Sequence, residues 1–183
     1  MIIFDSVSLK KHLKRALSCV SNGRDSWSCI MFDGENGKIV ATDGFVMYIG
    51  EIAFFPGRFL IHYEELKQIE KQLNFKDNFN VELNENTFSY LNFSIQIKNK
   101  IDKIPYPKYL EIIGLETQHG RIISERTFDT KIFSRVLSSL NHSCFVLRFC
   151  PQPDKSLNIS PCYININDEK APGMFVVMPI LSE

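Results

Sequence analysis

One unit recurs three times along this chain, with a period of about 60 residues. It consists of a short leading strand, an amphipathic helix and a small antiparallel meander. Its helix has an apolar stripe and its sheet an apolar face, and one unit alone buries neither. Units must therefore share a core in pairs, and a chain with three of them has one left over. That odd unit is the strongest constraint on how the chain folds and assembles.

The helices show the spacing of one-sided burial. Over residues 8–20, Leu9, Leu13, Ala16, Leu17 and Val20 share a face, and Lys10, Lys11, Lys14 and Arg15 gather opposite. Ser6 or Ser8 stands where a cap is needed. Over 63–73, Leu66, Ile69 and Leu73 point inward and Glu64, Glu65, Lys67, Glu70 and Lys71 outward. Over 128–140, Ile132, Phe133, Val136, Leu137 and Leu140 face in, Lys131 and Arg135 face out, and Asp129 is a good cap.

Short strands fill the intervals. The first meander takes 28–32, 38–41 and 46–54, with a Gly- and Asn-rich turn at 33–37. The second takes 79–83, 87–91 and 93–98, and the third 145–149, 157–159, 163–166 and 174–178. The pattern predicts an α+β fold in which helices are backed by antiparallel sheets. A polar, glycine-bracketed stretch at 114–120 divides a complete two-unit domain, 1–114, from a half domain, 115–183. The odd unit needs cover for its helix face and sheet edges. Either the unit packs back on the first domain or it pairs with the third unit of another chain; the second is expected, as an isologous dimer.

Composition excludes several functions. Hydrophobic residues are 44% of the chain and include 15 Phe, enough for a sizeable core. Twenty-one basic residues balance 21 acidic ones, so there is no bulk basic field, and attraction to phosphate has to come from local segregation of charge. The N-terminus lacks a basic segment followed by a long apolar run, and no stretch approaches the roughly 20 residues of a membrane span. A cytoplasmic protein without membrane contact is expected. Five Cys without CxxC pairing read as reduced thiols. His142, Cys144 and Cys150 fit no common zinc spacing. Phosphate-loop, nucleophile-elbow and zinc-peptidase motifs are absent, so no enzymatic activity, cofactor or metal is expected. Asp43, in Thr42-Asp43-Gly44, reads as a turn residue with no catalytic role.

Three tags make the pattern more specific: Val40 to Gly44 (VATDG) after a strand, Tyr106 to Ile113 (YPKYLEII), and Val176 to Ile180 (VVMPI) near the C-terminus. In this order they resemble the bacterial sliding clamp, the beta subunit of DNA polymerase III. Residues 1–114 are similar to the family's middle domain. The part from 120 onward, including TFDTKIFSRVLSSL at 127–140, is similar to the second half of its last domain. The resemblance implies a ring of such domains around duplex DNA, with helices lining the hole. It also implies an apolar pocket that receives short peptides of polymerases, clamp loaders and repair proteins. Thr42, Gly44 and Met47 then fall on one pocket wall, and Val176, Met178, Pro179 and Ile180 on the other. Lys10, Lys11, Lys14, Arg15, Lys131 and Arg135 become candidate DNA contacts, and a homo-oligomer is implied. An accessory or decoy protein that occupies clamp-binding partners without a ring is the alternative. Phe45-Val46 stands where the family has His-Arg, Leu181-Ser182-Glu183 replaces its basic-Leu ending, and Gly114 replaces a Pro. These departures imply a less acidic peptide ligand.

Overall fold

The computed structural model describes residues 2–21, 26–74, 78–97, 106, 108–116, 128–140, 144–149 and 161–178. Strand β1 (Ile2–Asp5) leads into helix α1 (Ser6–Leu17), and β2 (Cys29–Asp33), β3 (Lys38–Thr42) and β4 (Val46–Glu51) form the first meander. Strand β5 (Arg58–His62) leads into α2 (Tyr63–Gln72), followed by β6 (Asn80–Leu83), β7 (Thr87–Tyr90) and β8 (Phe93–Gln96). A short helix, α3 (Tyr109–Glu116), precedes α4 (Thr130–Leu140), β9 (Cys144–Phe149), β10 (Cys162–Asn167) and β11 (Gly173–Val177).

The expected class is present: helices packed on antiparallel sheets. Helix α1 starts two residues earlier than its apolar spacing suggests, because Asp5 rather than Ser6 or Ser8 caps it, its carboxylate accepting the Ser8 N–H at 2.8 Å. Asp129 caps α4 as expected, accepting from Lys131 N at 2.7 Å and Ile132 N at 3.3 Å. Helix α3 is new: it runs to Glu116, into the stretch read as linker. The expected strand at 157–159 lies outside the described residues.

The first two units exchange their leading strands. Strand β5 pairs with β2, and β1 pairs with β6, so each meander is covered by the other unit's strand. One sheet has the order β1-β6-β7-β8. The other continues through the third unit, in the order β5-β2-β3-β4-β11-β10-β9. Its junction is the antiparallel pairing of β4 with β11, which sets Val46 opposite Val177, Met47 opposite Val176 and Tyr48 opposite Phe175.

This junction corrects the expectation that the odd unit's helix face waits for a second chain. Val136 and Leu140 of α4 are buried in the same core as Leu9, Leu13 and Ala16 of α1 and Phe175 and Val177 of β11. The third unit packs back on the first because β4 offers an unpaired edge and α1 an apolar flank at the same place.

Polar groups buried near the junction correct a second expectation, that Arg15 stands on an exposed basic face. It is 1% exposed. Its guanidinium donates to Asp168 Oδ2 at 2.7 Å and to the Ala171 carbonyl at 2.5 Å, in the turn between β10 and β11. Lys11 Nζ donates to the same carboxylate at 2.9 Å. One turn away, buried His12 shares a hydrogen bond of 2.7 Å with Tyr48 Oη. Gly50 makes this approach of α1 to β4 possible, since a Cβ there would lie 2.5 Å from His12 Nδ1.

Two outcomes follow. Asp168→Ala leaves a buried guanidinium without its carboxylate and should cost about 3 kcal/mol in urea denaturation. Burial, then the Arg15 charge, pushes the His12 pKa down to about 3. The unfolded chain takes up this proton near pH 6.5 and the folded chain does not, so stability is full above about pH 6.5 and falls as pH drops toward 3. Asp168 adds a loss only below about pH 4: burial opposes its ionisation, but the Lys11 and Arg15 bonds hold its carboxyl below the usual range. Denaturation midpoints measured across pH should therefore slope between about 6.5 and 4, and His12→Gln should flatten that slope.

Candidate peptide-binding site at the strand junction

The turn between β3 and β4 closes on its own side chains. Asp43 Oδ1 accepts from Phe45 N and Val46 N, each at 3.0 Å. Thr42 Oγ1 donates to the Val46 carbonyl at 2.9 Å and accepts from Gly44 N at 3.1 Å. Gly44 has φ +90, a conformation that a side chain would strain. Asp43 thus bends the chain, and it also holds the third unit: Arg135 of α4 donates to its other oxygen at 2.6 Å. The junction is pinned beyond its far end too, since Met178 N donates to the Phe45 carbonyl at 2.9 Å.

The outer face of the long sheet, away from the main helices, carries the residues expected in a pocket. Thr42 pairs with Met47 across β3 and β4, and Met47 with Val176 across β4 and β11. These three residues, distant in sequence, stand side by side. They are buried, at 2%, 6% and 2% exposure, so they form a floor rather than an open wall. Met47 and Val176 belong to an apolar cluster with Met31, Val40, Ile49, Tyr109 and Tyr163. Helix α3 and the residues before it lie over this cluster, held by their hydroxyls and carbonyls. Tyr106 Oη donates to the Val40 carbonyl at 2.9 Å, Tyr109 Oη to Asp33 Oδ2 at 2.8 Å, and Tyr163 Oη to the Ile112 carbonyl at 3.0 Å. Burial pushes the Tyr106 and Tyr109 hydroxyls well above the usual range, so both stay protonated as donors. Beside them a cavity of about 270 Å³ opens between Met31, Asp33, Arg58 and α3.

The accessible part of the site is the rim. Gly44 is exposed and Met178 half-buried. Two aromatic residues that the sequence reading did not select stand with them: Phe45 is 64% exposed and Trp27 36%. The Trp27 ring lies 3.6 to 4.0 Å from the point where a Cβ on Gly44 would sit. Trp27 is the single Trp of the chain, and only its rarity in the sequence could have drawn attention to it. Pro179 and Ile180 lie outside the described residues, as do His142 and Cys150.

The candidate DNA contacts are mostly occupied within the chain. Besides Arg15 and Lys11, Lys10 Nζ donates to the Leu73 carbonyl at 2.5 Å and stands 3.7 Å from Glu70, and Arg135 is held by Asp43. Lys14 is half-buried and Lys131 exposed, and neither has an ion pair among the described residues. Among those residues no group of three His, Cys, Asp or Glu side chains is placed to hold a metal, and no helix is long and apolar enough to cross a membrane.

No protein-family model and no curated protein sequence matches the chain. Solved structures match closely in shape. A protein assigned as a DNA polymerase III beta subunit from Eubacterium rectale superposes with a TM-score of 0.69 at 13% identity, over 98% of this chain and 64% of that one. The beta subunit of Thermotoga maritima gives 0.64 at 12% identity, over 100% and 65%. The Helicobacter pylori beta clamp bound to a DNA ligase peptide gives 0.65 at 16% identity, over 99% and 65%. The chain therefore has the sliding-clamp fold and spans just under two thirds of the length of these clamps.

The Asp43–Arg135 pair is partly exposed, so its coupling should be modest. A double-mutant cycle of Asp43→Asn and Arg135→Ala, read by urea denaturation, should give about 1 kcal/mol.

Proposed function

We propose that this chain is a non-catalytic, clamp-like protein of DNA replication or repair that binds short apolar peptides of its partner proteins at the β4–β11 junction. The supporting observation is the convergence there of Thr42, Gly44 and Met47 with Val176 and Met178, rimmed by Trp27 and Phe45. In the Helicobacter pylori clamp, a protein of the same fold, a DNA ligase peptide is bound. Here the rim is aromatic and sulfur-containing. It suits a flexible peptide carrying Leu or Phe anchors, captured by burial of apolar area. Pro179 and Ile180, which follow Met178 in the sequence, belong to the proposed site by resemblance. A cytoplasmic location belongs to the same reading.

Contact with duplex DNA, as an oligomer, is the second element of the reading, and it rests on Lys14 and Lys131. A different observation favours the accessory or decoy alternative. Lys10, Lys11, Arg15 and Arg135 each bond within the chain, and the net charge is zero. A protein so balanced holds partner peptides without needing phosphate.

A labelled clamp-binding peptide titrated against the protein tests the site, with Trp27 emission as an internal signal. Two buried anchors supply a few kcal/mol, part of which is lost in ordering the peptide, so affinity should be on the order of micromolar. Met178→Ala and Trp27→Ala should each weaken binding about tenfold, which corresponds to about 1.4 kcal/mol. Lys14→Ala should leave peptide binding unchanged and, if α1 meets phosphates, lower the salt dependence of duplex binding. Absence of peptide binding at high micromolar protein, or equal binding by Met178→Ala, would remove the site.

A further inference from the structure

The cavity of about 270 Å³ lies on the β2–β5 side of the long sheet, with β3 between it and the strands of the β4–β11 junction. Its floor is the outer face of β2, where Met31 and Asp33 alternate with Phe32 of the main core. Arg58 stands opposite Asp33 in the register of β5 with β2. The facing wall is Lys108 and the first turn of α3, with Leu110 and Glu111.

Tyr109 ties the two walls together, its hydroxyl donating to Asp33 Oδ2 at 2.8 Å. Asp33 takes two further bonds, from Asn36 N at 3.3 Å and Asn36 Nδ2 at 3.0 Å, so its carboxylate is held by the protein. The other charges are loosely engaged. Arg58 reaches Glu35 at 3.5 Å, and both side chains are more than half exposed. Lys108 and Glu111 form an equally exposed pair at 3.0 Å. Such pairs contribute little, and their members can turn to another partner at small cost. Asn36 directs its amide nitrogen to Asp33, which leaves the amide oxygen as an acceptor at the cavity.

The lining thus carries two cations, Arg58 and Lys108, and two carboxylates, Asp33 and Glu111. A ligand with a single charge would meet its own sign on one side of the cavity. A ligand with one charge of each sign meets neither conflict. Between the charges the surface is apolar, formed by Met31, Tyr106 and the half-exposed Leu110.

We infer that this cavity binds a small zwitterion with an apolar body, an α-amino acid of the size of leucine or phenylalanine. Its carboxylate meets the Arg58 guanidinium, a fork of donors suited to that group, with Lys108 beside it. Its ammonium meets Glu111 and the Asn36 amide oxygen. Its side chain lies on Met31 and Leu110, where the thioether adapts to an aliphatic or an aromatic body. The volume falls near the lower end of small-ligand sites, roughly 300 Å³, and so limits the ligand to about ten non-hydrogen atoms. A ligand so placed bridges β2, β5 and the first turn of α3.

An amide-shift titration of the isotope-labelled full chain tests the site, with L-phenylalanine as the probe. The amides of Asp33, Arg58 and Tyr109 should move together, with a Kd on the order of a millimolar. Phenylpropionate, the same body without the ammonium, and phenethylamine, without the carboxylate, should each bind at least about threefold more weakly. Arg58→Gln should weaken phenylalanine about fivefold and leave phenethylamine unchanged. Glu111→Gln should weaken phenylalanine about threefold and leave phenylpropionate unchanged. Both side chains are more than half exposed, so neither change threatens the fold. No shift at tens of millimolar phenylalanine overturns the inference. So does a singly charged analogue that binds as tightly as the amino acid, or an Arg58→Gln chain that binds it like the wild type. The inference does not rest on the peptide site, whose own failure appears in the peptide titration.

Discussion

The pairing of β4 with β11 is the contact on which the rest of the molecule depends. It turns a two-unit domain and a half domain into one seven-stranded sheet. Hydrogen bonds of an antiparallel ladder do not select a partner by themselves, since any open edge offers the same donors and acceptors. Selection comes from what stands at the two ends. At one end Arg135 of the third unit reaches Asp43 in the first, and at the other Lys11 and Arg15 of the first reach Asp168 in the third. All of these pairs are in place in the observed register of β4 and β11.

These ion pairs also decide how the charge of the molecule is used. A helix with four cations in six positions reads as a surface for an anionic partner. In the fold, Lys10, Lys11 and Arg15 bond to groups of the same chain. Burying Arg15 is costly unless its guanidinium is paired, and the β10–β11 turn supplies both a carboxylate and a carbonyl. These bonds serve cohesion between units, and burial takes Arg15 off the exposed basic face.

The seam has a polar side and an apolar side, and the two divide the work. Toward the helices lie His12, Tyr48, Arg15 and Asp168, joined by hydrogen bonds and an ion pair. On the outer face, Met47 and Val176 meet under a segment held by three tyrosine hydroxyls. The apolar cluster of Met47 and Val176 spans the seam, so it exists only in the assembled fold and depends on the interaction that holds the units together.

Much of this was legible in the sequence. The helical spacing of Leu9, Leu13 and Ala16, the Asp129 cap and the Thr42-Asp43-Gly44 turn are local features, decided by side chains within a few residues of one another. The tags that placed Thr42, Met47, Val176 and Met178 near one another rested on resemblance, and their adjacency became physical only through strand register. What stayed illegible were the long-range choices. Periodicity placed Arg15 with the exposed lysines, because one helical turn carries no information about an aspartate 153 positions away. The odd unit's helix seemed to require a second chain, because nothing local shows that β4 is left unpaired by its own domain. Trp27 gained its place beside Gly44 only when the turn folded back toward it. The sequence by itself determined the elements, their apolar faces and the count of units, since those follow from neighbours along the chain. The tertiary structure alone decided which edges joined, which charges were buried and which apolar surfaces stayed open, since those depend on groups that only folding brings together.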